Sequence, residues 1–304
     1  MPANETADTD VAESIWDRVT VVIVCHNSAS VLPITLGALP DAKRIIILDT
    51  VSRDNTCDVA KATHPSVEVI RNTEDFGLAA ASNQAFAQVN TEYTLHINPD
   101  TKLDLGCVER LIMTADENQN AAGVAPMLTN GKGDLEIDVM NGQEINHHKI
   151  SHVPEGPFST WFITGAVVLW RNSAFQSING FDEGIFMYNE DADICVRSTR
   201  AGYSLILDPR ATAHHFGGIS EGTSLKSRIR KDWMMAWGHL YYERKYLGEA
   251  EAKAMTQKYL SDHAKESLVG FLLLRPKKFL GNYVKAKAAY QFLRGKPLWG
   301  RFPQ

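Results

Sequence analysis

The chain has 304 residues, 44% hydrophobic and 22% charged, with 36 acidic against 31 basic side chains and a formal net charge of -5. This length can bury a sizeable core, and the composition is that of an ordinary globular protein. The acidic balance excludes a chain that is basic overall and so argues against wholesale nucleic-acid binding.

Residues 1–18 read as a disordered acidic tail. Glu5, Asp8, Asp10, Glu13 and Asp17 occur there without a base before Arg18 and without apolar periodicity. The tail lacks the apolar segment of a signal peptide. No apolar run approaches the roughly 20 residues of a membrane span. Val19–Cys25 (VTVVIVC) is continuously apolar, as a strand covered on both faces requires. A helix is predicted over 31–39, a strand over 44–49, a helix over 54–63 and a strand over Val67–Arg71. An Ala-rich helix over 78–89, a strand over Tyr93–Ile97 and a helix over 105–117 follow. This alternation predicts an α/β fold with a mostly parallel sheet flanked by helices. Residues 129–160, rich in Gly, Asn, His and Pro, read as a long functional loop region. The sheet resumes over 162–170, a helix is predicted over 189–200, and a short strand over 204–208. From 224 onward the chain reads as helical and basic. Cys25, Cys57, Cys107 and Cys195 lie far apart without metal-ligand spacing, which fits a reduced, cytoplasmic setting.

Ligands of open α/β sheets sit beyond the carboxyl ends of the strands. The polar residues there are His26 and Asn27, Asp49, Asn98 to Asp100, and the cluster Glu190, Asp191 and Asp193. Pro99 ends its strand and presents Asp100, a suitable ligand for Mg²⁺ or Mn²⁺, although a turn aspartate has the same signature. Asp49 can accept a hydrogen bond from a base or ribose, or cap a turn. Three carboxylates in one turn repel each other unless a cation, a helix dipole or a substrate compensates, which favours a functional site. His214 and His215 could ligate a metal or simply belong to a loop. Gly218-Ile219-Ser220-Glu221-Gly222 matches a nucleophile-elbow pattern, but that motif needs a strand before it and Asp and His partners on later strands. Here a His-Gly loop precedes it, and the remainder reads as basic and helical. No dinucleotide or phosphate-loop glycine motif is present, which argues against an oxidoreductase or a phosphate-loop ATPase.

The ordered set of segments resembles glycosyltransferase family 2 of the GT-A (Rossmann-like) fold, from about residue 20 to 220. It comprises Val21 to Ser28; Asp49, Ser52 and Asp54; Asn72 to Asn83; Asn98-Pro99-Asp100-Thr101; Thr164-Gly165-Ala166; Gly180 to Glu183; Glu190 to Asp193; and His214. The most similar branch includes bacterial rhamnosyltransferases of cell-surface polysaccharide synthesis. The sequence departs from the family at Asn98, where a first metal-motif aspartate is common, and at Cys25-His26 and Thr50.

The resemblance implies an inverting, metal-dependent transferase moving a sugar, rhamnose by analogy, from a nucleotide-sugar donor to a glycan or polyprenyl-linked acceptor. His26, Asn27, Asp49, Gly77, Asn83, Asn98 and Asp100 would bind the donor, and Asp100 with His214 the divalent cation. Asp191 would be the base, with Glu190 beside it. Thr164, Gly165, Ala166 and Asp193 would contact sugar or acceptor. The implied organisation is a tail over 1–18, a GT-A nucleotide-sugar-binding and catalytic domain over 19–223 and a helical region over 224–304. The basic, aromatic-bearing C-terminal region suits an anionic membrane surface, and so a peripheral position at the inner face of the cell membrane; a packing layer or oligomer interface would look alike. The rival readings are a nucleotidyltransferase, which should carry a Gly-rich basic first loop, and a non-catalytic nucleotide-sugar-binding or scaffold protein.

Overall fold

The computed structural model describes residues 14–130, 135–136, 138–141, 144–147, 153–217 and 224–296. Most of the acidic tail and the whole Gly218 to Gly222 pattern therefore lie outside the described residues. The last part of the predicted tail is structured. Ile15–Asp17 form a 3-10 turn capped by Ser14, and Trp16 is buried in the core.

The first half alternates as the sequence predicts. β1 (Val19–Cys25), α1 (Leu32–Gly37), β2 (Ile45–Asp49), α2 (Thr56–Thr63), β3 (Val67–Arg71), α3 (Gly77–Phe86) and β4 (Tyr93–Ile97) follow in order. Strands β3, β2, β1 and β4 lie side by side and parallel. Alternate residues of β1 and β2 enter two cores. Val21, Ile23, Ile45 and Ile47 pack with Leu36, Leu95 and Leu111 on one face. Val22, Ile46 and Leu48 pack with Ala81, Ala85, Trp170 and Phe175 on the other. Burial on both faces is the reason these strands lack polar alternation.

β5 (Thr101–Leu103), α4 (Cys107–Glu117) and β6 (Ala121–Asn130) come next. β6 is absent from the sequence prediction, because Gly123 and Pro126 interrupt its pattern. Gly123 is required there, since a Cβ would come within 2.9 Å of Ile163 and 3.1 Å of Trp170 and Val168. The region predicted as loop also carries β7 (Leu135–Glu136), β8 (Asp138–Asn141), β9 (Glu144–His147) and β10 (Phe158–Thr160). The strand predicted over 162–170 is confined to β11 (Val167–Arg171), antiparallel to both β4 and β6. After α5 (Asn172–Ser177) and α6 (Glu190–Arg200), β12 (Ser204–His215) runs far past its predicted end at 208. Pro209 does not end it; the register against β6 shifts between Asp208 and Thr212, a bulge that absorbs the proline. The main sheet path is β10-β12-β6-β11-β4-β1-β2-β3, parallel on one side of β4 and mixed on the other.

Three helices end the described chain: α7 (Leu225–Leu247), α8 (Glu249–Leu272) and α9 (Pro276–Leu293). Trp233, Trp237 and Leu240 of α7 pack with Val284, Ala288, Ala289 and Phe292 of α9. α7 also docks closely on the segment before α6. A Cβ on Gly238 would lie 2.4 Å from the Tyr188 carbonyl oxygen, and one on Gly184 2.1 Å from the Tyr241 hydroxyl.

This contact yields a test whose sign is informative. Alanine in a helix interior is favoured over glycine by about 1 kcal/mol. At Gly238 the added methyl meets backbone that cannot rotate away, and overpacking costs about 1–3 kcal/mol. Gly238→Ala should therefore lower the urea midpoint; an unchanged or higher midpoint would show that α7 is not seated as described.

Candidate active site

Three strand ends meet at one edge of the sheet. After β1, Asn27 adopts a left-handed backbone (φ 52), which asparagine tolerates better than most residues. Its N–H donates to Ser52 Oγ at 2.8 Å, and its Oδ1 accepts from Arg53 N at 2.7 Å. His26 Nδ1 donates to the Thr50 carbonyl at 2.6 Å, since a carbonyl can only accept. Thr50 ties the ends of β1 and β2 through its N–H and hydroxyl, both donating to the Cys25 carbonyl, at 2.8 and 3.0 Å.

Asp49 is fully buried at the end of β2. Its Oδ2 accepts from Ser52 N at 3.2 Å and lies 3.3 Å from Arg71 Nε. Its Oδ1 is buried without a hydrogen-bond partner among the described residues. A buried, unmatched acceptor is costly, and an incoming N–H donor would satisfy it.

After β4, Asp100 is nearly buried. The Asn98 N–H donates to the Ala166 carbonyl at 2.9 Å, and Thr35 Oγ1 donates to the Pro99 carbonyl at 2.7 Å. The histidine facing Asp100 is His215, with Nε2 3.5 Å from Asp100 Oδ1 and 3.5 Å from Asn98 Nδ2. His214 was the expected partner and does not reach it. Successive residues of a strand point to opposite faces, and His214 lies against Asp104 Oδ1 at 3.1 Å and Thr129 Oγ1. Among the described residues no three His, Cys, Asp or Glu side chains converge as a complete metal cage. Asp100 and His215 still supply oxygen and nitrogen donors suited to Mn²⁺ or Mg²⁺, ions that complete their shells with substrate phosphates and water. The donor set fits such an ion.

The acidic turn sorts its three carboxylates into three environments. Tyr188 (φ 68) and Asn189 (φ 71) are both left-handed, an uncommon conformation for a bulky residue, and they turn the chain sharply into α6. Asp191 Oδ2 accepts from Gly165 N at 3.3 Å and Oδ1 from Ala192 N at 2.8 Å. Glu190 is buried, and its Oε2 lacks a hydrogen-bond partner among the described residues. Burial first, and the neighbouring Asp191 charge second, push the Glu190 carboxyl up to about 8. Asp193 is fully buried and ion-paired with Arg197 at 2.7 Å and Lys245 at 2.6 Å, and it accepts from the Tyr246 hydroxyl at 2.7 Å. Asp193, expected at the sugar or acceptor, here fastens α6 to α7.

Gly77 and Asn83, expected at the donor, also hold the fold together. Asn83 Oδ1 accepts from Phe181 N at 2.9 Å, and its Nδ2 donates to the Phe181 carbonyl at 2.9 Å and to Glu183 Oε1 at 3.0 Å. Gly77 (φ 86) has Phe186 against it, so that a Cβ would lie 2.3 Å from the Phe186 carbonyl oxygen. Both residues pin the 181–186 segment to α3. In Thr164-Gly165-Ala166, Gly165 offers its N–H to Asp191, and Ala166 is a core residue whose carbonyl holds Asn98. Thr164 is half-buried beside them.

The family model described as Glycosyl transferase family 2 matches residues 20–178, about half of the 304-residue chain. The chain belongs to this family. It is a glycosyltransferase, of the kind that uses nucleotide-sugar donors. It is 24% identical over 247 residues to the N-acetylglucosaminyl-diphospho-decaprenol L-rhamnosyltransferase of Mycobacterium tuberculosis, covering 70% of this chain and 80% of that one. Rhamnosyltransferase WbbL of Escherichia coli is 46% identical over a shorter stretch of 81 residues, 27% of this chain and 30% of its own. Solved structures share the fold. GalNAc-T7 with UDP, GalNAc and Mn²⁺ superposes with a TM-score of 0.57 at 15% identity, over 75% of this chain and 51% of that one. The mannosyltransferase PcManGT of Pyrobaculum calidifontis, with GDP-Man and Mn²⁺, gives 0.55 at 13% identity, over 94% and 76%.

Two cations at this glycosyltransferase site escaped the sequence reading. Arg71 reaches Asp49 from β3, and its place opposite Asp49 in the parallel register was the available signal. Arg230 of α7 pairs with Asp75 at 2.5 Å and brings Nη1 within 3.5 Å of His26 Nε2. No sequence signal connects residue 230 to residue 26, because only helix docking brings them together.

The Glu190 environment has a measurable consequence. Its folded-state value, about 8, lies above the ordinary 4.5, so the native state holds a proton that the unfolded chain releases. Its contribution to stability is complete below pH 4.5 and is lost as pH rises through about 8. Glu190→Gln should remove this dependence. Urea unfolding from pH 5 to 9 should show the wild type losing stability relative to the variant, by at most about 1.4 kcal/mol per pH unit. Parallel curves would refute a protonated Glu190.

Proposed function

We propose that this family 2 glycosyltransferase is an inverting, metal-dependent enzyme whose base is Asp191. One observation carries the reading. Asp191 is bonded to Gly165, the adjacent Ala166 holds Asn98, and Asn98 leads to Asp100 and His215, so base and metal ligands share one hydrogen-bonded frame. Burial pushes the Glu190 carboxyl up to about 8, so it is mostly protonated at neutral pH. Asp191 instead sits on two backbone N–H donors that favour its ionised form, which supports Asp191 over its neighbour as the base.

Asp49 Oδ1, buried and unmatched, would accept the ring N–H of a uracil, thymine or guanine base, and the His26–Asn27 turn would lie along the nucleotide. Asp100 and His215 would hold a divalent cation that, when bound, neutralises charge on the diphosphate. Asp191 takes the proton of an acceptor hydroxyl as its oxygen bonds to the anomeric carbon. The bond to the nucleoside diphosphate breaks on the opposite face, so configuration inverts in one displacement. The two named relatives support rhamnose as the first donor sugar to test, and the mycobacterial relative's name supports a polyprenyl-linked acceptor. No helix among the described residues is long and apolar enough to cross a membrane. A lipid-linked acceptor would then be met from a peripheral position at the inner face of the cell membrane.

Nucleotide release from UDP-, dTDP- and GDP-sugars, with Mg²⁺ or Mn²⁺ and membrane-extract acceptors, tests this reading. Release with one donor should be abolished by a chelator and fall by roughly 10²–10⁴ in kcat in Asp191→Asn, with donor binding retained. Donor binding without release from any acceptor would favour a non-catalytic binding protein, and absence of all donor binding would sink the assignment. His215→Ala should raise the cation concentration needed for half activity about tenfold or more, while His214→Ala leaves it nearly unchanged. The reverse order would return the metal role to His214.

A further inference from the structure

The turn joining α8 to α9 exposes more apolar surface than a water-facing turn has reason to carry. Leu268, Val269, Phe271, Leu272, Leu273 and Leu274 are exposed by 58, 39, 61, 68, 56 and 88%. Single exposed apolar residues are ordinary, but a contiguous set of this size marks an interaction surface. Gly270 interrupts the set and explains its shape. A Cβ there would lie 2.6 Å from Phe279 N, so the glycine lets the start of α9 close on the end of α8 and turns the side chains around it outward.

Leu274 is the most telling of these residues. It takes a left-handed backbone (φ 52) just past the helix end, and the Arg275 N–H reaches back to the Gly270 carbonyl at 2.8 Å. Glycine is the usual residue at such a helix stop, because an L side chain is strained there. A leucine that is 88% exposed recovers nothing within the folded chain. Its side chain is explained by something that the chain meets.

The charge around the tip indicates what that is. No acidic residue follows Glu266, and Glu266 is itself paired with Lys278 at 2.5 Å. Lys265, Arg275 and Lys277 flank the tip and are exposed. Behind it, Tyr283 and Tyr290 are about half exposed and border an open groove of about 470 Å³ between α8 and α9, with Lys287 also lining it. An exposed apolar tip flanked by basic residues suits a bilayer surface, where the apolar side chains reach the acyl boundary and the cations meet anionic headgroups. The tip also lies toward the active-site end. Gly281 of α9 packs on Asp232 of α7, two residues from Arg230 at His26. At 1.5 Å per residue, Gly281 is only on the order of 10 Å along α9 from the tip.

We infer that the α8–α9 turn is a membrane-inserting tip that seats the enzyme on an anionic bilayer. This deepens the proposed lipid-linked acceptor, by bringing the active site to the surface where such an acceptor resides, but its test does not depend on sugar transfer.

The experiment is flotation of the full-length protein with phosphatidylcholine vesicles and with vesicles that also contain phosphatidylglycerol. The wild type should float with the anionic vesicles and be released by salt. A Phe271→Ser, Leu272→Gln double variant should partition roughly tenfold less or worse. Leu274→Gly should also bind less, with a melting temperature equal to or above wild type, an outcome that a purely structural leucine would not give. Calorimetric binding of nucleotide-sugars should be the same in all three proteins, so failure of this inference is distinguishable from failure of the donor reading. Wild type that ignores both vesicles, or variants that float as well as wild type, would overturn the inference. So would light scattering that shows a wild-type dimer made monomeric by the double variant, since the surface would then be a contact between copies.

Discussion

The architecture depends on a backbone segment clamped between two glycines. Residues 186–188 run so close to α3 and α7 that Gly77 and Gly238 each face a carbonyl oxygen less than a carbon–oxygen contact away from where a Cβ would sit. Asn83 holds the chain just before this segment by three hydrogen bonds to Phe181 and Glu183. With its approach fixed, the chain has one route into α6, through the left-handed pair Tyr188 and Asn189. That route aims Asp191 at the Gly165 N–H. Strain in the turn and tight packing on both sides are therefore parts of one device, and its output is the position of a carboxylate.

The device also resolves the repulsion inherent in Glu190, Asp191 and Asp193. Three ionised carboxylates in one helical turn would oppose folding. One is neutralised by Lys245 and Arg197, one is driven by burial toward its protonated form, and only Asp191 remains at the strand ends on backbone N–H donors. Lys245 comes from α7, as do Gly238 and Arg230. The helical region is thus bound into the site's electrostatics as well as its packing.

What the sequence made legible follows from range. β1, β2 and β4 are continuous apolar strands buried on both faces, so local pattern suffices, and the polar residues at their ends fall at one edge because parallel strands share a direction. The β12 end was illegible, because a proline normally ends a central strand and here a bulge against β6 absorbs it. The histidine choice turned on the same point: in a loop either His214 or His215 could face Asp100, and only an extended strand fixes the parity that selects His215. Gly77, Asn83 and Asp193 carried motif signals that were real but ambiguous. Each residue faces a partner roughly fifty to a hundred positions away, and sequence spacing does not separate a residue that holds a loop from one that holds a ligand.

The region from 224 onward is better understood as a third wall of the site than as an appendage to a self-sufficient sheet. Without α7, the Tyr188 carbonyl would lose the packing of Gly238, Asp193 would be left buried with Arg197 as its remaining cation, and Asp75 and His26 would lose Arg230. Removing one partner from a buried ion pair costs far more than an exposed pair contributes, because the remaining charge stays out of water. The sheet positions Asp49 and Asp100, but α7 fixes the turn that positions Asp191, the proposed base. The match of the family model over residues 20–178 covers the first of these tasks. The second is carried by residues beyond it, held by shape and charge rather than by a motif.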